Sequence, residues 1–250
     1  VRIGVHAAGV NFPDLLIIQG LYQFKPELPF APGGEVAGEV LETGSAVTGF
    51  AVGDRVIGMT RWNGYAEEAV VPGHRCVAIP PSTDLAVAAG LALTYGTSYH
   101  ALVQRAALQP NETLLVHGAA GGIGTAAIDI GQCLGARIVA TGGNDRKLQA
   151  VAAHYGVEHL INYDADPDWK DQVKAATDGR GADVVLDVIG GDYLDRNADA
   201  LAVGGTIMQV GLMGGGKATF GLGKLLSKRA RLVGTTLRAR SLEEKVALSR

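Results

Sequence analysis

The sequence has 250 residues, 47% hydrophobic and 19% charged, with a formal net charge of −3. That length allows one large or two modest domains, and the apolar share excludes a disordered chain. No run of Lys or Arg forms a nucleic-acid tail, no apolar stretch could span a bilayer, and the start lacks a signal-peptide pattern. Two widely separated cysteines, Cys76 and Cys133, argue against a disulfide framework and cannot build a four-cysteine zinc lobe. Their sparse usage reads as that of a cytoplasmic protein.

Val1 already lies in a strand-like pattern and Arg250 in a helical one, so both termini are expected to be truncated. Up to about Thr94 the chain reads as short strands, at Val1–Gly4, Glu35–Leu41, Arg55–Gly58, Tyr65–Val71 and Cys76–Ile79. Turn signals separate them, among them Pro32-Gly33-Gly34, Gly53-Asp54 and Asn63-Gly64. This spacing predicts a small β-barrel-like domain.

From about Gln109 the rhythm becomes strand, helix, strand, helix. Strands are expected at Thr113–His117, Arg137–Thr141, His159–Asn162, Val184–Val188, Thr206–Val210 and Arg231–Leu237. Helices are expected at Ile123–Leu134, Asp145–Tyr155, Trp169–Thr177, Tyr193–Ala200, Leu222–Arg229 and Leu242–Ser249. Continuous apolar runs such as Leu114–Val116 and Val184–Leu186 fit a parallel sheet covered on both faces. The pattern predicts an α/β, doubly wound Rossmann sheet beside the β domain.

The segment HGAAGGIG, His117 to Gly124, follows the first of these strands and opens the first helix. Gly121 would let the backbone approach a pyrophosphate, Gly124 would let helix and strand pack closely, and the helix N-terminus would offer free N–H groups. Ala119 takes the first fingerprint position, normally glycine, and Gly122 and Ile123 open the helix. A dinucleotide enzyme that uses NAD carries an acid at the end of the second strand, about twenty residues on. Here that position is Gly142, followed by Asn144, Arg146 and Lys147. Nothing acidic there would repel a 2′-phosphate, and Arg146, Lys147 and Asn144 could bind one, so NADPH is the expected cofactor. Gly211, Leu212 and Met213 open a glycine-rich loop after the fifth strand, where open α/β sheets bind ligands; a mobile, cleft-lining lid is expected.

Taken together, GVNFPD, QGLY, PGGEVAG, VGDRV, NGYAE, LTYGTSY, HGAAGGIG, INY, VLDVIGG and VGLMGGG occur in the order of one family. The chain resembles the medium-chain dehydrogenase/reductase superfamily, and within it the zinc-free quinone-oxidoreductase branch that includes the zeta-crystallin-like enzymes. The resemblance covers essentially the whole chain. It implies a GroES-like substrate domain over residues 1–94 and a Rossmann NADP-binding domain over residues 95–250, with the family's first strands and C-terminal return segment missing. The zinc enzymes of the superfamily use a Cys, a His and a third ligand where this chain has Asn11, Gly34 and Leu93. None is a usual zinc ligand, so no metal is expected.

The resemblance also implies roles for single residues. Asn11 would face the cleft that holds the nicotinamide and bond the ring or a substrate carbonyl. Tyr22 would line the same cleft and polarise a carbonyl or protonate an enolate. Thr97, on the helix joining the domains, would contact the nicotinamide, and Tyr163 the adenosine phosphate. His74, His100 and His117 are read as structural or solvated, and Asp187 as capping the turn after it. The implied activity is zinc-independent hydride transfer from NADPH to a quinone or other conjugated carbonyl. An enoyl-thioester reductase is the alternative of the same class. It would need a basic entrance, for which Arg61, Arg75, Lys224, Lys228, Arg229 and Arg231 are candidates. The alternative of a different class is a non-catalytic, crystallin-like NADPH-binding protein. A homodimer is expected from the resemblance, with no nucleic-acid or membrane partner.

Overall fold

A computed structural model describes residues 1–237, Arg240 and Glu244. The helix expected over Leu242–Ser249 lies outside the described residues, Glu244 apart. The chain divides into two compact units, Val1–Gly96 and Thr97–Arg240.

The first unit is built on five antiparallel strands: β1 (Arg2–Ala8), β2 (Glu35–Glu42), β3 (Arg55–Met59), β4 (Glu68–Val70) and β5 (Cys76–Ala78). Their order is β4-β1-β2-β3-β5. Ile3, Val36, Val40, Val56 and Val71 form its core. These are β-branched side chains, which pack well on a pleated surface. The expected strand at Tyr65–Val71 shrinks to Glu68–Val70.

Two helical segments here, α1 (Phe12–Ile18) and α2 (Leu85–Ala88), are not among the expected helices, while α3 (Leu91–Tyr99) is the helix expected around Thr97 and runs on into a π-helical stretch at His100–Arg105. In α1 the large apolar residues Phe12, Leu15 and Ile18 are exposed and only Asp14 and Ile17 are buried. The helix is marked instead by its start, Asn11 as N-cap, proline in the first turn and Asp14 at the third position, whose Oδ2 accepts from the Asn11 N–H at 2.9 Å.

The second unit is a six-stranded, all-parallel sheet of order β11-β10-β9-β6-β7-β8. The strands are β6 (Thr113–Val116), β7 (Arg137–Gly142), β8 (His159–Asn162), β9 (Ala182–Asp187), β10 (Leu201–Gln209) and β11 (Arg231–Gly234). The helices between them are α4 (Gly122–Cys133), α5 (Asp145–Tyr155), α6 (Trp169–Ala175), α7 (Tyr193–Ala200) and α8 (Leu222–Lys228). Leu114 and Val116 of β6 enter one core with Val184 and Leu186, while Leu115 and Val185 enter the core on the opposite face. Both faces are covered, as the unbroken apolar runs require.

The fold is therefore α/β, a doubly wound parallel sheet with a separate antiparallel β unit. Strand order reverses at β6, which pairs with β7 on one side and β9 on the other. That reversal is where ligands bind in such sheets. One boundary moved most: β10 starts at Leu201, not Thr206. An irregularity between Leu201 and Thr206, across Gly204-Gly205, keeps both ends of the strand paired with β9.

Candidate cofactor and catalytic site

The segment between β6 and α4 is a tight turn. Gly118 has φ +63°, and its carbonyl accepts from the Gly121 N–H at 2.9 Å. The Gly121 and Gly122 backbone is exposed where α4 begins, Ile123 is half-buried and Gly124 is buried. The N–H groups of the first helical turn have no acceptor within the helix. A methyl on Gly124 would lie 2.3 Å from the Gly118 oxygen and 2.7 Å from Ala119 Cα, so this glycine is required by packing. A methyl on Gly121 would meet only the Gly118 oxygen, at 3.3 Å, on the open side of the turn. Ala119 differs from its predicted role. It is fully buried and its N–H donates to the Thr141 oxygen at 2.9 Å, so its side chain and N–H both serve packing.

Beneath the turn lies a buried polar chain. Asp187 Oδ1 accepts from the N–H groups of Ile189 (2.6 Å) and Gly190 (2.9 Å), which is the capping expected of it. Asn197 Nδ2 donates to Asp187 Oδ2 at 2.8 Å, and Asn197 Oδ1 faces His117 Nε2 at 2.7 Å. That oxygen only accepts, so Nε2 carries the hydrogen and Nδ1 accepts from the Thr141 hydroxyl, 2.8 Å away. Burial lowers the His117 pKa, against the opposing pull of Asp187 and Asn197, which favours the neutral ring. Trp169 and Tyr193 stand edge-on to it at 4.8 and 5.2 Å. His117 is thus structural, tying β6, β7, β9 and α7 together below the turn.

At the end of β7, Gly142 and Gly143 are half-buried, and Asn144, Arg146 and Lys147 are exposed. Asn144 caps α5, its Oδ1 accepting from the Lys147 N–H at 3.0 Å. Among the described residues, Arg146 and Lys147 form no ion pair. Tyr163 is half-buried just past β8, and its N–H donates to the Gly142 oxygen at 3.2 Å. Burial first, then Asp164, raises its phenol pKa. Thr97 is half-buried on α3; the adjacent Ser98 donates to the Ile123 oxygen at 3.0 Å, which joins this helix to the first turn of α4.

The loop from Gly211 to Met213 is fastened rather than free. Gly211, Met213 and Gly214 N–H groups donate to the carbonyls of Asp187, Val188 and Ile189 at 3.3, 3.2 and 2.7 Å. The Leu212 and Met213 side chains remain exposed.

In the first unit, the three positions that align with zinc ligands meet at one carboxylate. Asn11 Nδ2 donates to Glu35 Oε1 at 2.8 Å and the Leu93 N–H to Glu35 Oε2 at 2.8 Å, while Gly34 precedes Glu35 in the chain. Glu35 is fully buried, and desolvation raises its pKa against the lowering by the Asn11 and Leu93 hydrogen bonds. Tyr65 closes the group by donating to Asp14 Oδ2 at 3.1 Å; burial and then Asp14 push its phenol up to about 12. A zinc ion does not fit this donor set: Gly34 and Leu93 carry no ligand atom, Asn11 offers only an amide that donates to Glu35, and the Glu35 carboxylate is already held by two N–H donors. Among the described residues, no group of three or more His, Cys, Asp or Glu could hold a metal. Tyr22 lies in a loop beyond α1, where it packs edge-on to Phe24 at 5.7 Å, and Phe24 reaches Trp62 at 5.3 Å. Sequence reasoning missed Glu35 and Asp14. The signal was a carboxylate opening the apolar run Glu35-Val36-Ala37.

Two family profiles match the chain: "Alcohol dehydrogenase GroES-like domain" over residues 1–81 and "Zinc-binding dehydrogenase" over residues 122–250. A quinone oxidoreductase of Homo sapiens is 32% identical over 98% of this chain and 73% of its own. The chain belongs to the quinone-oxidoreductase family of medium-chain dehydrogenases/reductases. A quinone oxidoreductase-like protein 2 homolog of Nematostella vectensis is 40% identical over 94% of the chain, which spans 64% of that relative's length. Among solved structures, the Escherichia coli quinone oxidoreductase complexed with NADPH superposes with a TM-score of 0.87 at 30% identity, over 99% of this chain and 76% of that one. The CurK enoyl reductase does so with a TM-score of 0.82 at 29% identity, over 99% and 74%.

Proposed function

We propose that this quinone-oxidoreductase family chain carries out zinc-independent hydride transfer from NADPH to a quinone or another conjugated carbonyl. The observation that carries the reading is the turn from Gly118 to Gly124, a glycine-lined cradle at a helix start on the strand-order reversal of a parallel sheet. Gly121, Gly122 and Ile123 would bind the pyrophosphate through backbone N–H groups, and Gly124 would hold the helix close enough for them to do so. Arg146, Lys147, the Asn144 amide and the Tyr163 phenol would hold the 2′-phosphate, and Gly142 would make room for it. Thr97 and the backbone from Gly211 to Met213 would line the nicotinamide end. Residues 1–94 would serve as the GroES-like substrate domain and residues 95–250 as the cofactor domain. NADPH, when bound, supplies the hydride.

Asn11 and Tyr22 would act on the acceptor. One Asn11 amide hydrogen is committed to Glu35, which fixes the side chain and leaves the second hydrogen to polarise a carbonyl. The Tyr22 hydroxyl would donate to the oxygen on which negative charge develops. A conjugated acceptor needs no stronger electrophile, in keeping with a donor set that does not suit zinc. We also propose a homodimer acting on small molecules in the cytoplasm.

The enoyl-thioester alternative loses half of its six candidate basic residues to internal bonding. Lys224 pairs with Asp195 and Asp199 at 2.7 and 2.8 Å, Lys228 bonds the Asp199 oxygen at 2.7 Å, and Arg231 bonds Thr206 at 3.0 Å. Arg75 lies near Arg61, and its pKa is lowered by burial first and by Arg61 second, so two of the candidate cations repel one another. The test is NADPH consumption with a small ortho-quinone, with and without a chelator, repeated with an enoyl-CoA. Rapid turnover with the quinone, unchanged by chelator, is expected. Turnover with the enoyl-CoA alone would reverse the choice of acceptor, and tight NADPH binding without turnover would favour the crystallin-like role.

A further inference from the structure

Rossmann enzymes that hold the ribose hydroxyls project an acid from the end of the second strand. In this chain that strand, β7, ends in Gly142, and its own sequence offers no acid there. The neighbouring strand supplies one. β8 is parallel to β7 and pairs Asn162 with Gly142, so the residues after Asn162 emerge beside Gly142 and Gly143. A methyl on Gly143 would lie 2.4 Å from Asp164 Oδ2 and 3.0 Å from Asp164 Cγ. The Asp164 carboxylate thus occupies the space a side chain on Gly143 would take.

Its backbone is held there. The Asp164 N–H donates to Asn162 Oδ1 at 3.0 Å, and Asn162 Nδ2 donates to Asp145 Oδ1 at 2.7 Å on the first residue of α5. Asp164 is exposed, and no cation pairs with it among the described residues. The next two residues of α5 after Asp145 are Arg146 and Lys147. Charges of both signs therefore stand at the turn where a 2′-phosphate or a bare ribose would sit.

We propose that Asp164 is a specificity-determining carboxylate that accepts from the ribose hydroxyls and opposes a 2′-phosphate, keeping the preference of this chain for NADPH over NADH small. The proposal rests on the cofactor-binding reading above. Arg146 and Lys147 attract the phosphate, and Asp164 offsets part of that attraction.

The test is calorimetric titration of the full chain with the two adenosine halves, 2′,5′-ADP and 5′-AMP. The proteins are the wild type, Asp164→Asn, Asp164→Ser and the control Glu158→Gln, an exposed acid at the opposite end of β8. Both Asp164 variants are expected to tighten 2′,5′-ADP about three- to tenfold relative to 5′-AMP, an effect that shrinks at 0.5 M salt. The control leaves the ratio unchanged. If the wild type binds both ligands and the ratio moves less than twofold in both Asp164 variants, Asp164 does not set specificity while the cofactor site stands. If the wild type binds neither, the cofactor site itself is lost, and this proposal with it.

Discussion

Gly121 and Gly124 stand three residues apart and meet different demands. A methyl on Gly124 has backbone atoms 2.3–2.8 Å away and nowhere to go, so α4 must shift off β6. Gly124→Ala should destabilise the protein by about 1–3 kcal/mol. Gly121→Ala meets one carbonyl at 3.3 Å, which gives by a few tenths of an ångström, so its urea midpoint should stay close to that of the wild type. In the proposed cofactor site its methyl would stand in the approach of the pyrophosphate, and NADPH affinity should fall at least tenfold. Equal losses of stability in the two variants would remove the distinction. The packing role of Gly124 was legible, because a fingerprint is a local pattern. Glu35 and Asp164 were not. Glu35 becomes meaningful when Leu93, fifty-eight residues away, donates to it. Asp164 reaches the end of β7 through the pairing of two parallel strands, and single-strand reasoning looks for the acid at Gly142.

At the scale of elements, strands and helices with a clear period were found within a few residues, α5, β8 and α7 at their observed bounds. α1 escaped because it is only seven residues long, two turns among strands, and its clearest mark is the capping pair Asn11 and Asp14. The parallel sheet is tied at the carboxyl ends of its strands by the chain Thr141–His117–Asn197–Asp187, and this makes stability depend on pH in a stated direction. Burial is the dominant cause and lowers the His117 pKa below 6.5, so the folded state stays neutral where the unfolded state takes up a proton. The stabilisation is complete above pH 6.5 and is lost as pH falls below it. The loss approaches about 1.4 kcal/mol per pH unit until the folded pKa is reached. The buried Trp169, 4.8 Å from the His117 ring, reports the transition by fluorescence. Urea unfolding followed this way should show lower stability at pH 5.5 than at pH 7.5. His117→Gln should be weaker at pH 7.5 and show a smaller difference between the two. Glu35 acts in the other unit with the opposite sign. Its carboxyl pKa is raised, so its contribution is present below pH 4.5 and lost as pH rises through the folded value. An undiminished pH difference in His117→Gln would assign the effect to other groups.

At the scale of the whole molecule, the change of rhythm near Gln109 foretold two architectures. What rhythm could not tell is which architecture binds what, and the two tryptophans make that measurable. Trp62 belongs to the first unit and Trp169 to the second. Trp62→Phe removes one reporter, keeps an aromatic ring beside Phe24, and leaves Trp169 to follow the parallel-sheet unit alone. A ligand that binds only the folded state stabilises it by mass action, by about 2.7 kcal/mol at a concentration one hundred times its Kd. For a unit of this size each kcal/mol moves the midpoint by roughly 2–4 °C. NADPH at that concentration should therefore raise the Trp169 transition by about 5–10 °C. Gly121→Ala, carrying Trp62→Phe as well, should lose most of the shift at the same NADPH concentration, because its affinity is lower while its own fold is intact. A transition that NADPH leaves unmoved in the Trp62→Phe protein would mean that the cradle at Gly121 does not bind the cofactor, whatever the family does elsewhere.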